Sequence, residues 1–127
     1  MRAALEAIEA ETARAIDDLA AMVAIDTRFP PGVGYAAFAD LAEPWLLDLG
    51  FVPRRVVVPE PLWRTRLGGA NGERVNVVAA RRTGRPVCSI YVHTDTVPAT
   101  ADWTRRPLTL TRDGDRLHGL GAADTKG

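Results

Sequence analysis

Leu5, Ile8, Thr12, Ile16, Leu19 and Val23 recur at helical spacing, while Glu11, Arg14, Asp17 and Asp18 fall largely off that stripe. The period predicts an amphipathic surface helix over residues 3–26. Phe29-Pro30-Pro31-Gly32 then breaks the pattern, because neither proline continues a helix. A second helix is expected from about Gly34 to Leu49, with Tyr35, Phe38, Leu41, Trp45 and Leu49 on one face. Pro44 inside it removes a backbone hydrogen bond and predicts a kink or a restart. Gly50 is suited to cap its end.

Beyond Gly50 the pattern shortens. Phe51 to Val58 is rich in β-branched residues, closes at Pro59 and reads as a strand. Residues 59–73 hold Pro59, Pro61, Gly68, Gly69, Asn71 and Gly72 and read as an irregular surface excursion. Arg74 to Ala80 and Val87 to His93 are two further strands, joined by a basic turn at Arg81-Arg82-Thr83-Gly84-Arg85. Val87 to Val92 is apolar at nearly every position, the pattern of a strand covered on both faces. Leu108 to Thr111 and Arg116 to His118 flank Asp113-Gly114, a strong hairpin signal. Helices followed by mixed strands indicate an α/β sandwich, with residues 1–127 forming one unit.

Composition narrows the function. Sixteen basic and sixteen acidic side chains balance, so neither nucleic acid nor an anionic membrane is suggested as a partner. The basic residues are arginines with one exception, Lys126. Cys88 is the only cysteine, which excludes an internal disulfide, and its apolar run predicts a buried, inert thiol. No apolar stretch reaches the ~18–20 residues that cross a membrane. Glu6, Glu9 and Glu11 stand where a secretory signal would need a basic start and an apolar block. The expectation is a soluble, cytoplasmic chain.

Candidate chemistry begins where the apolar strand ends, at Tyr91-Val92-His93-Thr94-Asp95-Thr96-Val97-Pro98. Residues two apart in extended chain point the same way, so His93 and Asp95 share a face. A metal-binding imidazole needs an acceptor for its second N–H, and Asp95 is placed to provide one. A solvated His beside a turn-forming Asp would give the same short sequence. The second segment, Leu117-His118-Gly119-Leu120-Gly121-Ala122-Ala123-Asp124-Thr125-Lys126-Gly127, sets three glycines around Asp124 and permits a close backbone approach. By itself it also fits a flexible loop with a charged tip.

In this order the segments are specific. His-x-Asp-x-Val-Pro, then Trp103, Pro107, Asp113-Gly114, Leu117-x-Gly-x-Gly and Asp124-x-Lys-Gly resemble the zinc aminoacyl hydrolases. That family includes acetylornithine deacetylase, succinyl-diaminopimelate desuccinylase, aminoacylase and glutamate carboxypeptidase. The likeness extends upstream through Arg74-Val75-Asn76-Val77-Val78-Ala79 and to Pro31-Gly32 followed by a helix ending Leu49-Gly50-Phe51. It implies the N-terminal part of a three-layer α/β/α zinc-peptidase catalytic domain with a mixed sheet.

Carried onto this sequence, the resemblance implies that His93 is the terminal ligand of one zinc, that Asp124 bridges two zincs, and that Asp95 orients His93. It also implies a cis peptide after Asp124, and packing roles for Trp103 and Pro107. His118 and Leu120 stand where relatives commonly have Tyr and Arg, so the wall beside Asp124 departs from the pattern. The implied cofactor is Zn2+, two per complete site, with Co2+ or Mn2+ able to occupy the same shell.

The implied reaction is metal-assisted hydrolysis of an amide in an N-acyl amino acid or small peptide, by a homodimeric enzyme. Pro30-Pro31-Gly32 with Tyr35, and Val56-Val57-Val58-Pro59-Glu60, tilt the likeness towards deacetylases and desuccinylases. The family's general base, its remaining metal ligands and an inserted dimerisation domain lie beyond Asp-x-Lys-Gly. The expectation is therefore an N-terminal segment that is inactive alone, with an uncovered apolar sheet face. The alternative is a non-catalytic truncated or split product that acts only with a complementing chain.

Overall fold

The computed structural model describes residues 2–64, 68–81, 84 and 88–127. Two helices come first, α1 (Arg2–Ala24) and α2 (Tyr35–Asp48). Strands β1 (Val52–Val57) and β2 (Val75–Ala80) follow, then β3 (Thr111–Asp113) and β4 (Arg116–His118). The class is mixed α/β. Among the described residues the strands form two separate two-stranded antiparallel sheets, β1–β2 and β3–β4, rather than one mixed sheet between helical layers.

The reason for that difference lies in the apolar run. Residues 88–95 are irregular instead of the expected strand, and Val87 and most of the basic turn lie outside the described residues. Ile90, Tyr91 and Val92 are 85%, 90% and 61% exposed. A strand buried on both faces needs hydrogen-bonded neighbours on its edges, and among the described residues this segment pairs only at Thr96, in a parallel bridge with Arg28. The Cys88 thiol, expected in a core, is likewise exposed.

The helices form where the period places them. On α1 only Leu19 and Val23 are buried, and residues 2–15 are exposed throughout, so the stripe finds partners only near its C-terminal end. Pro44 neither breaks nor restarts α2. Pro44 and Asp40, whose carbonyl loses its usual donor, both sit on the exposed side, where water can satisfy it. Gly50 ends the helix as expected, at φ +78°. Its N–H donates to Leu47 O at 2.8 Å and that of Phe51 to Leu46 O at 2.8 Å, the paired bonds of a Schellman cap.

Sheet β1–β2 packs against α2. Val75, Val77 and Ala79 alternate towards cover while Asn76, Val78 and Ala80 face solvent. The β3–β4 hairpin pairs Asp113 with Arg116 across Gly114-Asp115. Positive φ falls on Gly114 alone (+60°), the pattern of a type II′ turn.

The core joins Leu19 and Val23 of α1, Phe38 and Ala39 of α2, Trp63 and Leu120. Beside it Arg74 is buried, donating to the carbonyls of Pro31 (3.0 Å) and Gly32. Its guanidinium lies 4.9 Å from the ring centroids of both Tyr35 and Trp63 and 5.4 Å from that of Phe29. This clamp fastens the Pro30-Pro31-Gly32 turn to the start of β2.

Candidate metal centre

The segment that carries His93 and Asp95 is held from α1's end rather than by a sheet. Thr27 is fully buried, and its hydroxyl donates to Thr94 O at 2.6 Å. The Thr96 N–H donates to Thr27 O (3.2 Å), and the Phe29 N–H returns a bond to Thr96 O (2.7 Å). These bonds fix the backbone on either side of Asp95 and leave His93 and Asp95 facing an open cleft of ≈ 290 Å³. Thr27 carried no signal in the sequence, because nothing in its neighbours marks a hydroxyl that will be buried.

The opposite wall is the glycine-rich segment. A Cβ on Gly119 would meet Val23 Cγ1 at 2.9 Å, and one on Gly121 would meet Thr96 Cγ2 at 2.5 Å. Gly121 also takes φ +79°. These glycines let the backbone lie against α1 and against Thr96, as close approach requires. The turn brings Asp124 across the cleft, and the Asp124–Thr125 peptide is cis. Thr125 Oγ1 donates to His93 O at 2.8 Å and stitches the two segments together.

The structure thus brings His93, Asp95 and Asp124 together. His93 Nδ1 lies 3.2 Å from the Asp95 carbonyl oxygen and 3.5 Å from its carboxylate Oδ1, so the nearer acceptor is the backbone rather than the side chain. His93 Nε2 lies 3.0 Å from Asp124 Oδ1. The Asp95 carbonyl beside the ring, together with the Asp124 carboxylate, raises the His93 pKa, and desolvation opposes them.

This pairing fits a metal. With the Nδ1 proton given to the Asp95 carbonyl, Nε2 presents a lone pair to a carboxylate oxygen. Two such acceptors facing each other need a cation between them, either a proton or a metal ion. Two ligands of a tetrahedral zinc, each ~2.0–2.1 Å from the ion, stand about 3.3 Å apart, close to the spacing seen. Among the described residues no group of three or more His, Cys, Asp or Glu is placed to hold a metal ion together, so the cleft presents two donors, His93 and Asp124, with Asp95 beside the ring.

Other expected positions are placed differently. Leu120 is buried in the core beside the cleft. His118 lines a neighbouring cleft with Asp102, Trp103 and Arg105, not that of His93 and Asp124. Trp103, expected to pack, is 39% exposed. The Pro107 carbonyl accepts from Leu120 N–H at 2.7 Å, a framework contact.

Residues 89–127 match the sequence model of peptidase family M20/M25/M40. Acetylornithine deacetylase of Yersinia pestis is 38% identical over 92 residues, which are 72% of this chain and 22% of that protein. The enzyme of the same name from Salmonella arizonae is 38% identical over 93 residues, with 72% and 22% covered. That from Erwinia tasmaniensis is 39% identical over 84 residues, with 65% and 19% covered. The chain therefore spans about a fifth of the length of these curated relatives.

Proposed function

The chain belongs to peptidase family M20/M25/M40, and from that premise we propose that it carries part of a two-metal centre hydrolysing the amide bond of N-acyl amino acids. The observation that supports this reading is the approach of His93 Nε2 to Asp124 Oδ1 at 3.0 Å. His93 and Asp124 would hold the ion, Asp124 bridging to a second one. The Asp95 carbonyl would fix the His93 ring by accepting a hydrogen bond from Nδ1–H, which leaves Nε2 free to coordinate. When bound, zinc supplies Lewis acidity to the amide carbonyl and makes water acidic enough to attack near neutral pH. The acyl amino acid substrate class follows the names of the relatives, acetylornithine deacetylases. The helices and sheets would form part of a three-layer domain in a homodimeric enzyme.

These residues alone supply two donors where a catalytic zinc takes at least three from the protein. We therefore expect the 127-residue chain to bind a divalent ion weakly, to retain fewer than two zincs after dialysis, and to leave N-acetylornithine uncleaved. A chain that acts only with a complementing one remains the second reading, favoured by the same donor count.

Cobalt(II) titration followed by NMR tests the assignment. Broadening should centre on His93 and Asp124 and disappear in His93→Ala and in Asp124→Ala. Broadening that is unchanged in both variants would refute the site. Two zincs retained per dialysed chain would refute the incomplete donor set.

A further inference from the structure

Lys126 is the only lysine among the sixteen basic residues of the chain. Its side chain is buried, 6% exposed, and its contacts run away from the cleft. Nζ donates to the carbonyl oxygens of Met22 and Ile25, each at 3.0 Å, and lies 5.7 Å from the centroid of the Phe38 ring. Those carbonyls belong to the last turn of α1 and the residue just after it, where a helix presents acceptors and the negative end of its dipole. A compact ammonium with three donors suits two converging carbonyls.

Lys126 also closes the backbone that carries Asp124. Its N–H donates to Gly121 O at 2.9 Å, while the neighbouring Thr125 hydroxyl holds the His93 carbonyl at 2.8 Å. The segment from Gly121 to Lys126 is therefore pinned at two points, to the His93 segment through Thr125 and to α1 through Lys126. We propose that Lys126 is a positioning residue for the metal centre: its buried ammonium sets Asp124 at coordinating distance from His93 without touching the ion. The proposal rests on the assignment of His93 and Asp124 as ligands.

The test is cobalt(II) affinity of the full chain, read from broadening of the His93 imidazole resonances, in a Cys88→Ser background. Lys126→Met, which keeps the length and removes the charge, should weaken binding about 10- to 100-fold, as loss of an outer partner of a metal ligand does. Aminoethylation of Lys126→Cys restores an ammonium of nearly the same reach and should recover parental affinity, whereas a neutral propyl adduct should not. This pair of adducts decides the matter even where Lys126→Met folds poorly. Parental affinity in Lys126→Met, or equal affinity in the two adducts, overturns the positioning role alone. A parent that shows no broadening overturns the ligand assignment, and the positioning role falls with it.

Discussion

At the scale of single residues, Arg74 is a buried charge outside the cleft that holds a turn in place. Arg74 carries a guanidinium into the interior and meets backbone carbonyls and three aromatic rings. Arg74→Ala would leave the Pro31 and Gly32 carbonyls without their donor and hollow out the cage. Charge-assisted hydrogen bonds and cation–π contacts of this kind together set the loss at roughly 3 kcal/mol. Urea denaturation should show it, and Arg74→Lys should recover little, because a point charge cannot span the same contacts.

Asp26 and Arg28 form a second, more exposed pair at 2.8 and 2.5 Å. The Arg28 hydrogen bond holds the Asp26 carboxyl below its ordinary range, against the opposing pull of burial. A folded pKa below the unfolded one means stabilisation that is complete above the unfolded carboxylate value, about 3.9. It is lost as pH falls through the lower folded value. Asp26→Asn should therefore lower the unfolding free energy at neutral pH by a small amount, ~0.5 kcal/mol after solvent screening. The difference from the parent should vanish in acid below both pKa values. A difference that persists there would assign the effect to packing instead of charge.

At the scale of elements, the glycine-rich segment leaves no room for a side chain at Gly119 or Gly121 without displacing a neighbour. Gly121→Ala adds a Cβ 2.5 Å from Thr96 Cγ2 at φ +79°. Backbone strain alone costs of order 1–3 kcal/mol, and the clash must displace the Asp124 segment as well. Gly114→Ala, with positive φ and nothing within 4 Å among the described residues, carries only the backbone part. Comparing their denaturation midpoints separates the two, and equal losses would show that Thr96 yields freely.

The elements differ in how far they could be read beforehand. Both helices, the Gly50 cap, β1, β2 and the Asp113-Gly114 hairpin were legible because each rests on local period or turn chemistry. Val87 to His93 was not, since apolar residues specify burial but cannot supply the neighbouring strands that make burial possible. The cleft was half legible. His93, Asp95 and Asp124 could be named from their spacing and the family likeness. The roles of Thr27, Arg74 and Lys126 could not be read, because their partners are backbone atoms from 42 to 104 residues away in the chain.

At the scale of the molecule, apolar surface is distributed unevenly. Ile90, Tyr91 and Val92 form a contiguous exposed run beside the cleft. Such a run favours self-association at high protein concentration. Ile90→Lys combined with Tyr91→Glu should suppress it while changing folding stability by no more than about 0.5 kcal/mol, as expected for surface positions. Sedimentation velocity across a concentration series would show the difference. A parent that stays monomeric throughout would count against a sticky edge.

The exposed first half of α1 has a hydrodynamic consequence. Residues 2–15 make a rod roughly 20 Å long at the helical rise of ~1.5 Å per residue. A 13.7 kDa chain bearing that rod has a frictional ratio above that of a compact sphere of its mass. Its elution volume on gel filtration therefore overstates its mass even when it is a monomer, and only a shape-independent measurement can count its copies.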